Sequence, residues 1–294
     1  MKGLAGYLGY RLAALVFGAL PEPVMRLTGE TAGWLASFLS ARKLSLVRRN
    51  LARVVGENAA TTARARKMFS SYGRYWAEVF WVQPRRVDEI LEHSVVEGGE
   101  HIVRARDAGK GVIVALPHVG NWEAAGPTAV DLGVPMLAAA EALPNKRIVE
   151  WFLDTRKRLG IDVVIVGRDR RATQALIERL RQGGAIALLS DRDLAGHGIE
   201  VDFFGERTTL PAGPAALADR TGAALLPVGC YFNRRRGHRF VILPPIDIPA
   251  LPVKDQRIAQ ATQAFAHALE DLIMRAPEQW HLFQPNWPSD MADQ

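Results

Sequence analysis

The stretch "GVIVALPHVGNWEAAGPTAV", residues 111–130, joins a short apolar run to a polar turn and then to a helix-forming segment. The run at 111–116 is rich in β-branched residues and short, which is typical of a buried strand. Pro117 ends that strand, and Asn121 is a residue type that favours a helix N-cap. A strand, a turn and a helix in this order predict one unit of a parallel α/β sheet.

The same alternation of apolar runs and amphipathic segments continues on both sides of this stretch. Further strands are predicted at 94–98, 134–140, 162–167, 185–190 and 223–232, and a hairpin loop at 234–239 leads to a returning strand at 240–248. Helices are predicted at 99–110, 144–159, 170–184, 213–222 and about 254–275. The pattern predicts an α/β fold with a mostly parallel central sheet flanked by helices, in one continuous domain over 91–294.

The first ninety residues carry all of the excess positive charge. They contain 14 Lys and Arg against 6 Asp and Glu, a balance of +8, whereas the remainder has a balance of −2. Four apolar residues at helical spacing precede a basic run: Trp34, Leu35, Phe38 and Leu39, then Arg42, Lys43, Arg48, Arg49 and Arg53. This combination is typical of helices that lie on an anionic membrane surface. Ordinary amphipathic helices packed on the core, with a solvated basic side, would give the same pattern.

Several compartments and partners are disfavoured by composition. The apolar run 4–20 contains Arg11 and is shorter than the roughly 20 residues that span a bilayer, and a single Lys2 with no clear cleavage signal argues against a signal peptide. Cys230 is the only cysteine, which excludes an intramolecular disulfide and a zinc finger and indicates a reducing cytoplasmic compartment. No recognised nucleic-acid motif accompanies the basic charge. Residues 1–90 are therefore predicted to form an amphipathic, membrane-facing helical region.

His118 and Glu123 are the reactive residue types in the opening stretch. On one continuous helix, residues five apart point about 140° away from each other, but Pro117 and Gly120 place His118 in a turn before the helix. Glu123 then falls in the first helical turn and can reach back towards the imidazole. A carboxylate on one ring nitrogen lets the other accept a proton from a hydroxyl, and the carboxyl end of a parallel strand is where such sites gather.

The spacing alone leaves simpler roles open. A glutamate in the first turn stabilises a helix without any help from histidine, and a histidine after a strand is often structural. A serine hydrolase is disfavoured because no Gly-x-Ser-x-Gly motif exists. Metal binding is disfavoured because His118 and Glu123 lack a second histidine at helical spacing. The sequence contains neither a Walker motif nor a Gly-x-Gly-x-x-Gly motif.

The His-x4-Glu pair resembles the His-x4-Asp/Glu motif of glycerolipid and lipid A acyltransferases. Further blocks follow the order found in the bacterial lauroyl/myristoyl acyltransferase superfamily: "RRNL" at 48–51, "PHVGNWE" at 117–123, "DRD" at 191–193, "DFFGERTTLPAGPAALADRTGAALLPV" at 202–228 and "PEQWHLFQPNW" at 277–287. The resemblance covers nearly the whole chain. "YGRYWAEVFW", "VDFFGE" and "FQPNW" make it most similar to the actinobacterial phosphatidylinositol mannoside branch, in which aspartate is commoner than glutamate at the motif's second position.

The resemblance implies a role for each matching residue. His118 would deprotonate a sugar hydroxyl, Glu123 would orient it, and the amides of Gly120 and Asn121, or a basic side chain, would bind the oxyanion. Four supporting residues also match family positions: Glu141, Arg156, Asp191 and Arg192. A solvated helix charge is the alternative for Arg156, and a structural ion pair is the alternative for Asp191 and Arg192.

The implied function is transfer of a fatty acyl chain from acyl-CoA to a sugar hydroxyl of a glycolipid, most simply a phosphatidylinositol mannoside. The enzyme would lie peripherally on the cytoplasmic face of the cell membrane, would use no metal or organic cofactor and would bind no nucleic acid. Acyl carrier protein is a second possible donor. The alternatives are a lipid A-type acyltransferase and a catalytically silent lipid-binding or lipid-transfer protein of the same fold. The acyl chain would need an apolar tunnel, with the N-terminal helices as candidate walls.

Overall fold

A computed structural model describes residues 2–141, 145–166, 171–193, 196–234 and 236–291. The chain begins with a helical region that precedes every strand of these ranges. Its helices are α1 (Lys2–Ala19), α2 (Glu22–Leu39), α3 (Ala41–Val55), α4 (Thr61–Trp81) and, after a 3₁₀ turn at Pro84–Arg86, α5 (Val87–Glu92).

The remaining elements mostly alternate between strands and helices, except for a run of three strands before α10 and a pair of strands after it. The strands are β1 (Val95–Glu97), β2 (Val112–Leu116), β3 (Met136–Glu141), β4 (Ile161–Val166), β5 (Ala185–Leu189), β6 (Ile199–Phe203), β7 (Glu206–Leu210), β8 (Ala224–Phe232) and β9 (His238–Ile242). The helices are α6 (Gly99–Asp107), α7 (Ala125–Asp131), α8 (Lys146–Arg158), α9 (Arg171–Arg181), α10 (Gly213–Thr221), α11 (Lys254–Met274) and α12 (Pro288–Met291).

The seven-stranded sheet has the order β1-β9-β8-β2-β5-β3-β4. Every neighbouring pair is parallel except the β8–β9 hairpin. All five residues of β2 are buried, as expected for a strand in the middle of a sheet that helices cover on both faces. The predicted mostly parallel α/β fold is confirmed.

One predicted strand ends early, and one hairpin was not predicted. The strand predicted at 240–248 ends at Ile242, because Pro244 and Pro245 have no N–H to donate to a neighbouring strand. The β6–β7 hairpin was not predicted. Its turn residues Phe204 and Gly205 have φ values of 52° and 74°, which suits a tight hairpin turn.

The two faces of the sheet bury separate hydrophobic clusters, because side chains alternate along a strand. Val114 of β2 belongs to the cluster beneath α6 and α7, whereas Ile113 belongs to the cluster beneath α9, α10 and α11. The N-terminal helices contribute to both, with Met25 in the first and Met68 in the second. Cys230 on β8 is buried, and burial raises the pKa of its thiol to about 12, which makes it an inert thiol.

The N-terminal helices expose a large apolar surface, here called the apolar stripes. On α1 it consists of Leu4, Leu8, Leu12, Leu15 and Val16, and on α2 of Val24, Leu27, Trp34, Leu35, Phe38 and Leu39. Arg42 and Lys43 at the start of α3 are exposed beside it. Arg53 does not belong to this basic surface, because it bonds Glu206 and Asp290. No helix in the described part of the chain is long and apolar enough to cross a membrane.

Glycines set the contact between α2 and α4. A Cβ at Gly33 would overlap the carbonyl oxygen of Phe69, and a Cβ at Gly73 would overlap the carbonyl oxygen of Gly29. The backbones of the two helices therefore touch at these positions, and any side chain there would push the helices apart. The inner side of α2 is narrow at Gly29 and Gly33 for this reason, and the exposed apolar residues of α2 lie on its outer side.

We predict opposite stability effects for the same substitution at two helical glycines. Gly73→Ala should lower the free energy of unfolding by roughly 1–3 kcal/mol, because the α2–α4 contact cannot hold another methyl group. Gly9→Ala on α1 is the control, since among the described residues no atom outside the neighbouring helix backbone lies within 4 Å of its added Cβ. It should raise stability by about 0.4–1 kcal/mol. Urea denaturation measures both, and equal effects of the two variants would contradict the packing argument.

Candidate active site

His118 lies at the carboxyl end of β2, in a tight loop that leads away from the sheet. Gly120 has φ +59°, and a Cβ there would overlap the carbonyl oxygen of Cys230. The Gly120 N–H donates to the carbonyl of Gln279 over 2.9 Å, and the Asn121 N–H donates to the carbonyl of Cys230 over 3.0 Å. The loop is therefore fixed between β8 and the C-terminal segment, and this close approach requires glycine at position 120.

These bonds contradict the predicted oxyanion role of the loop amides. Gly120 and Asn121 both donate their N–H groups to backbone carbonyls, so neither is available to a substrate. Asn121 is also not the N-cap of α7, which begins at Ala125. Its side-chain oxygen accepts from the Glu123 N–H over 3.0 Å in a turn before the helix, and its amide nitrogen donates to Glu78 over 2.7 Å.

The carboxylate that orients His118 belongs to Asp191. His118 Nδ1 lies 2.5 Å from Asp191 Oδ1, and the His118 backbone N–H donates to Oδ2 over 3.1 Å. Trp280 Nε1 also donates to Oδ2, over 2.8 Å. Burial alone would raise the pKa of Asp191, but His118, Arg192 and Trp280 together hold that pKa well below its usual range. An ionised Asp191 accepts from Nδ1–H and leaves Nε2 with its lone pair free to accept.

The predicted contact between His118 and Glu123 is wrong. Both carboxylate oxygens of Glu123 accept from Arg156, one of them from Nε over 2.8 Å and the other from Nη2. The ion pair is nearly buried on the Glu123 side, and Glu123 raises the pKa of Arg156. Arg156 is thus not a solvated helix charge.

The register of the sheet explains why Asp191 contacts His118 and Glu123 does not. Leu116 of β2 pairs with Leu189 of the neighbouring parallel strand β5. His118 and Asp191 each lie two residues beyond this pair, so the two strands deliver them to the same point of the carboxyl edge. Spacing along the chain cannot show a contact between residues 73 positions apart.

Arg192 lies on the other side of the imidazole. Its Nη2 is 2.5 Å from His118 Nε2, and a guanidinium has only donors, so Nε2 accepts. This contact agrees with a neutral His118 whose proton is on Nδ1. The structure therefore brings Asp191 and Arg192 together around His118. Glu141 ends β3, but its side chain lies outside the described residues.

Sequence reasoning missed a buried charged cluster beneath the loop. Glu78 on α4 accepts from Asn121 Nδ2, His238 Nε2 and Arg74 Nε, each over 2.7 Å. Burial would raise the pKa of Glu78, but His238 and Arg74 lower it to about 2. The available signal was the Arg74–Glu78 pair, two charges four residues apart in the otherwise apolar block "YGRYWAEVFW".

The C-terminal segment supports the same loop from its other side. His281 donates its backbone N–H to the His118 carbonyl over 2.8 Å, and its Nε2 lies 2.9 Å from the Ser71 hydroxyl. Burial, followed by the proximity of His118, lowers the pKa of His281 to about 3, so this second histidine stays neutral. Trp280 and His281 are thus positioning residues for Asp191 and His118.

A cavity of about 840 Å³ opens beside His118. Its polar wall near the imidazole contains Glu123, Arg156 and Arg192, and the rest of its lining is mainly apolar. Ala138 of β3 and Ala187 of β5 are register partners, and both stay partly exposed although helices cover their strands. Their small side chains leave open space between the sheet and α7, and this space suits an alkyl chain.

The described residues contain no group of three or more His, Cys, Asp or Glu side chains that could hold a metal ion. The chemistry that the site itself offers is proton transfer at His118 Nε2, next to a guanidinium and an apolar cavity. A positioned imidazole of this kind can deprotonate a hydroxyl.

Comparison with known proteins includes two relatives in sequence and one solved structure. The chain is 38% identical over 291 residues to the phosphatidylinositol mannoside acyltransferase of Mycobacterium tuberculosis, covering 97% of this chain and 89% of that protein. It is 27% identical over 270 residues to the lipid A biosynthesis palmitoleoyltransferase of Escherichia coli, covering 89% and 84%. A crystal structure of the 1-acyl-sn-glycerophosphate acyltransferase from Thermotoga maritima aligns with a TM-score of 0.38 and 16% identity, over 81% of this chain and 97% of that one.

A family model adds the extent of the relationship. The model of bacterial lipid A biosynthesis acyltransferases matches residues 4–289, which include the N-terminal helices, the sheet and the C-terminal segment around His118. This chain therefore belongs to the bacterial lipid A biosynthesis acyltransferase family and is an acyltransferase.

Proposed function

We propose that this acyltransferase moves a fatty acyl group from acyl-CoA to a sugar hydroxyl of a glycolipid, with a phosphatidylinositol mannoside as acceptor. The observation that carries the reaction type is His118, whose Nδ1 contacts buried Asp191 and whose Nε2 contacts Arg192, at the wall of a mainly apolar cavity. The acceptor rests on the 38% identity to the M. tuberculosis enzyme named for that substrate. A lipid A-type acceptor is the second candidate, supported by the E. coli relative at 27% identity.

The proposed reaction needs one base and no covalent enzyme intermediate. The acceptor hydroxyl displaces Arg192 from His118 Nε2 and gives its proton to that nitrogen while its oxygen attacks the thioester carbonyl carbon. Asp191 stabilises the imidazolium that forms. The tetrahedral intermediate then collapses, the carbon–sulfur bond breaks, and the leaving thiolate recovers the proton from Nε2.

Arg192 is the proposed donor to the oxyanion, because the loop amides bond backbone carbonyls instead. It lies next to Nε2, and its Nε is buried without a partner among the described residues. A guanidinium that leaves Nε2 when the hydroxyl arrives can turn its N–H groups towards the developing charge. Preorganised donors of this kind stabilise transition states strongly in a site from which water is excluded.

The apolar stripes support attachment to a membrane surface. Leu12 is 62% exposed, Leu15 is 68% exposed and Leu39 is 88% exposed. A contiguous apolar surface of this extent that faces water marks an interaction site. Arg42 and Lys43 lie beside it and would favour anionic lipids. We propose peripheral binding at the cytoplasmic face of the membrane, with the apolar stripes in contact with lipid.

Replacing the base should abolish transfer. His118→Ala should lower kcat by about 10²–10⁴-fold, the usual contribution of a positioned general base. The measurement is transfer of labelled acyl chains from acyl-CoA to purified phosphatidylinositol mannoside. His267→Ala, an exposed histidine on α11, is the control and should retain activity. A wild-type protein that binds these lipids and transfers nothing would instead be a silent lipid-binding protein.

The two carboxylates should differ in their effect on catalysis. Asp191→Asn should lower kcat/KM by about 10⁴-fold, because an amide in this position favours the wrong tautomer of the histidine. Glu123→Gln should cause a loss of kcat/KM that is at least about tenfold smaller than the loss caused by Asp191→Asn, because Glu123 bonds Arg156. Near-ultraviolet circular dichroism checks that both variants fold. A larger loss for Glu123→Gln than for Asp191→Asn would refute the assignment of Asp191 as the orienting carboxylate.

Charge placed on the apolar stripes should prevent membrane binding. Leu35→Glu/Leu39→Glu should abolish flotation with vesicles that contain anionic phospholipid, since each glutamate would enter the lipid interface. Val95→Glu/Met274→Glu adds the same charge at exposed apolar positions outside the apolar stripes and should float like the wild type. Equal flotation of the two double variants would exclude the apolar stripes as the membrane contact. Point changes are preferable to deleting α2, whose glycines pack on α4.

A further inference from the structure

A second cavity, here called the α1–α8 cavity, lies between the N-terminal helices and α8. It has a volume of about 450 Å³ and is formed by α1, the end of α4, the 3₁₀ turn after α4 and one side of α8. Val79 of α4 lines this cavity and also the cavity beside His118, but His118 itself lines only the latter. The α1–α8 cavity is therefore a neighbour of the catalytic cavity and a separate binding space.

The lining of the α1–α8 cavity is basic. Three arginines from three different elements line it: Arg11 of α1, Arg85 of the 3₁₀ turn and Arg158 of α8. Asp154 is the one acid among the described lining residues, and its carboxylate accepts from Arg158 Nη2 over 2.9 Å. The lining thus carries a net charge of +2.

Two of these guanidinium groups have neutral partners. Arg11 Nη1 donates to the Tyr7 hydroxyl over 3.1 Å, and Arg85 Nη2 donates to the Gly18 carbonyl over 2.7 Å. Neither arginine forms an ion pair with a described residue. Each guanidinium has five N–H groups, so both keep donors for an additional ligand. Several guanidinium groups around one cavity are complementary to a phosphate group, whose oxygens accept from them in pairs.

The α1–α8 cavity borders the apolar stripes. Leu15 of α1 lines the cavity and belongs to the stripes. Tyr10 marks the inner side of α1, because its ring packs 5.5 Å from the ring of Phe80. At 100° per residue, Arg11 lies about 100° around the helix from Tyr10 and about 40° from Leu15. Trp151 of α8 lines the cavity as well, and tryptophan beside arginine is typical of the headgroup level of a membrane.

We propose that the α1–α8 cavity binds the phosphate of an anionic membrane phospholipid that neither donates nor accepts the acyl chain. Arg11, Arg85 and Arg158 donate to the phosphate oxygens, and the chains of the lipid lie against the part of the apolar stripes on α1. The inference rests on the proposed membrane contact of the stripes, because the lipid reaches the cavity from that surface. It adds one specific headgroup site to that contact.

Binding of a short-chain phospholipid in monomeric form tests the cavity without a membrane. Calorimetry with dihexanoyl phosphatidate should show a Kd weakened at least about tenfold in Arg11→Gln/Arg158→Gln, because two charged donors are lost. Arg42→Gln/Lys43→Gln removes the same charge beside the apolar stripes, outside the cavity, and should keep the wild-type Kd.

Three results of the calorimetry would overturn the inference. The first is a wild-type protein that binds no dihexanoyl phosphatidate. The second is an equal effect of the two double variants, including no effect of either. The third is inorganic phosphate bound as tightly as dihexanoyl phosphatidate, which would mark a site for the free anion instead of a lipid headgroup.

Trp151 gives a second measurement that leaves the three arginines intact. Because Trp151 lines the cavity, dihexanoyl phosphatidate should change the tryptophan fluorescence of the wild type, and Trp151→Phe should remove that change. Trp34→Phe, at an exposed position of the apolar stripes on α2, is the control and should keep the change. A fluorescence change that persists in Trp151→Phe and disappears in Trp34→Phe would place the lipid outside the cavity.

Vesicle flotation separates this inference from the proposed membrane contact. The wild type should prefer vesicles with phosphatidate to vesicles of phosphatidylcholine alone, and Arg11→Gln/Arg158→Gln should lose more of this preference than Arg42→Gln/Lys43→Gln. An equal or larger loss in the control would contradict the inference. Wild-type protein that binds dihexanoyl phosphatidate through Arg11 and Arg158 but floats with neither vesicle would refute the membrane contact alone.

Discussion

The contact between His118 and the buried carboxylate of Asp191 is the interaction on which the rest of the site depends. A carboxylate without solvent exposure is costly unless every lone pair that faces the interior is bonded. The His118 ring, the His118 backbone N–H and the indole of Trp280 supply those bonds. The same bonds fix the ring orientation and the tautomer. Stability and reactivity at this point therefore have a single physical origin.

This requirement explains why the C-terminal segment closes over the sheet. Trp280 bonds the Asp191 carboxylate, and the Asn286 amide donates to the Asp191 carbonyl over 3.3 Å. The neighbouring Gln279 accepts the Gly120 N–H through its backbone. On the other side of the loop, ionised Glu78 holds Asn121. The loop is thus clamped between two buried polar clusters, and its own amides are used to hold it rather than to bind substrate.

The fold could be predicted from the sequence because its signals are local. Apolar runs, glycine helix ends and the Pro117 turn each act within a few residues, and the parallel sheet follows from their order. Such local signals could not predict the pairing of His118 with Asp191, because that pairing depends on which strand lies beside β2 and on the register of the two strands. A five-residue spacing favoured Glu123 only on the assumption that the helix begins at Asn121, whereas α7 begins at Ala125. The family resemblance pointed to His118, Asp191 and Arg192, and the register of the sheet brings these three side chains together.

α2 packs closely on α4 and still leaves a large apolar surface exposed. Gly29, Gly33 and Gly73 let the backbones of α2 and α4 touch, and Met25 is the bulky apolar residue of α2 that is buried. The other bulky apolar residues of α2 remain exposed on its outer side, where contact with water is unfavourable and contact with lipid would not be. α4 carries Glu78 on the same helix that receives the glycines of α2. The helices that carry the apolar stripes and the His118 loop consequently both pack on α4, which fixes the position of the site relative to the stripes.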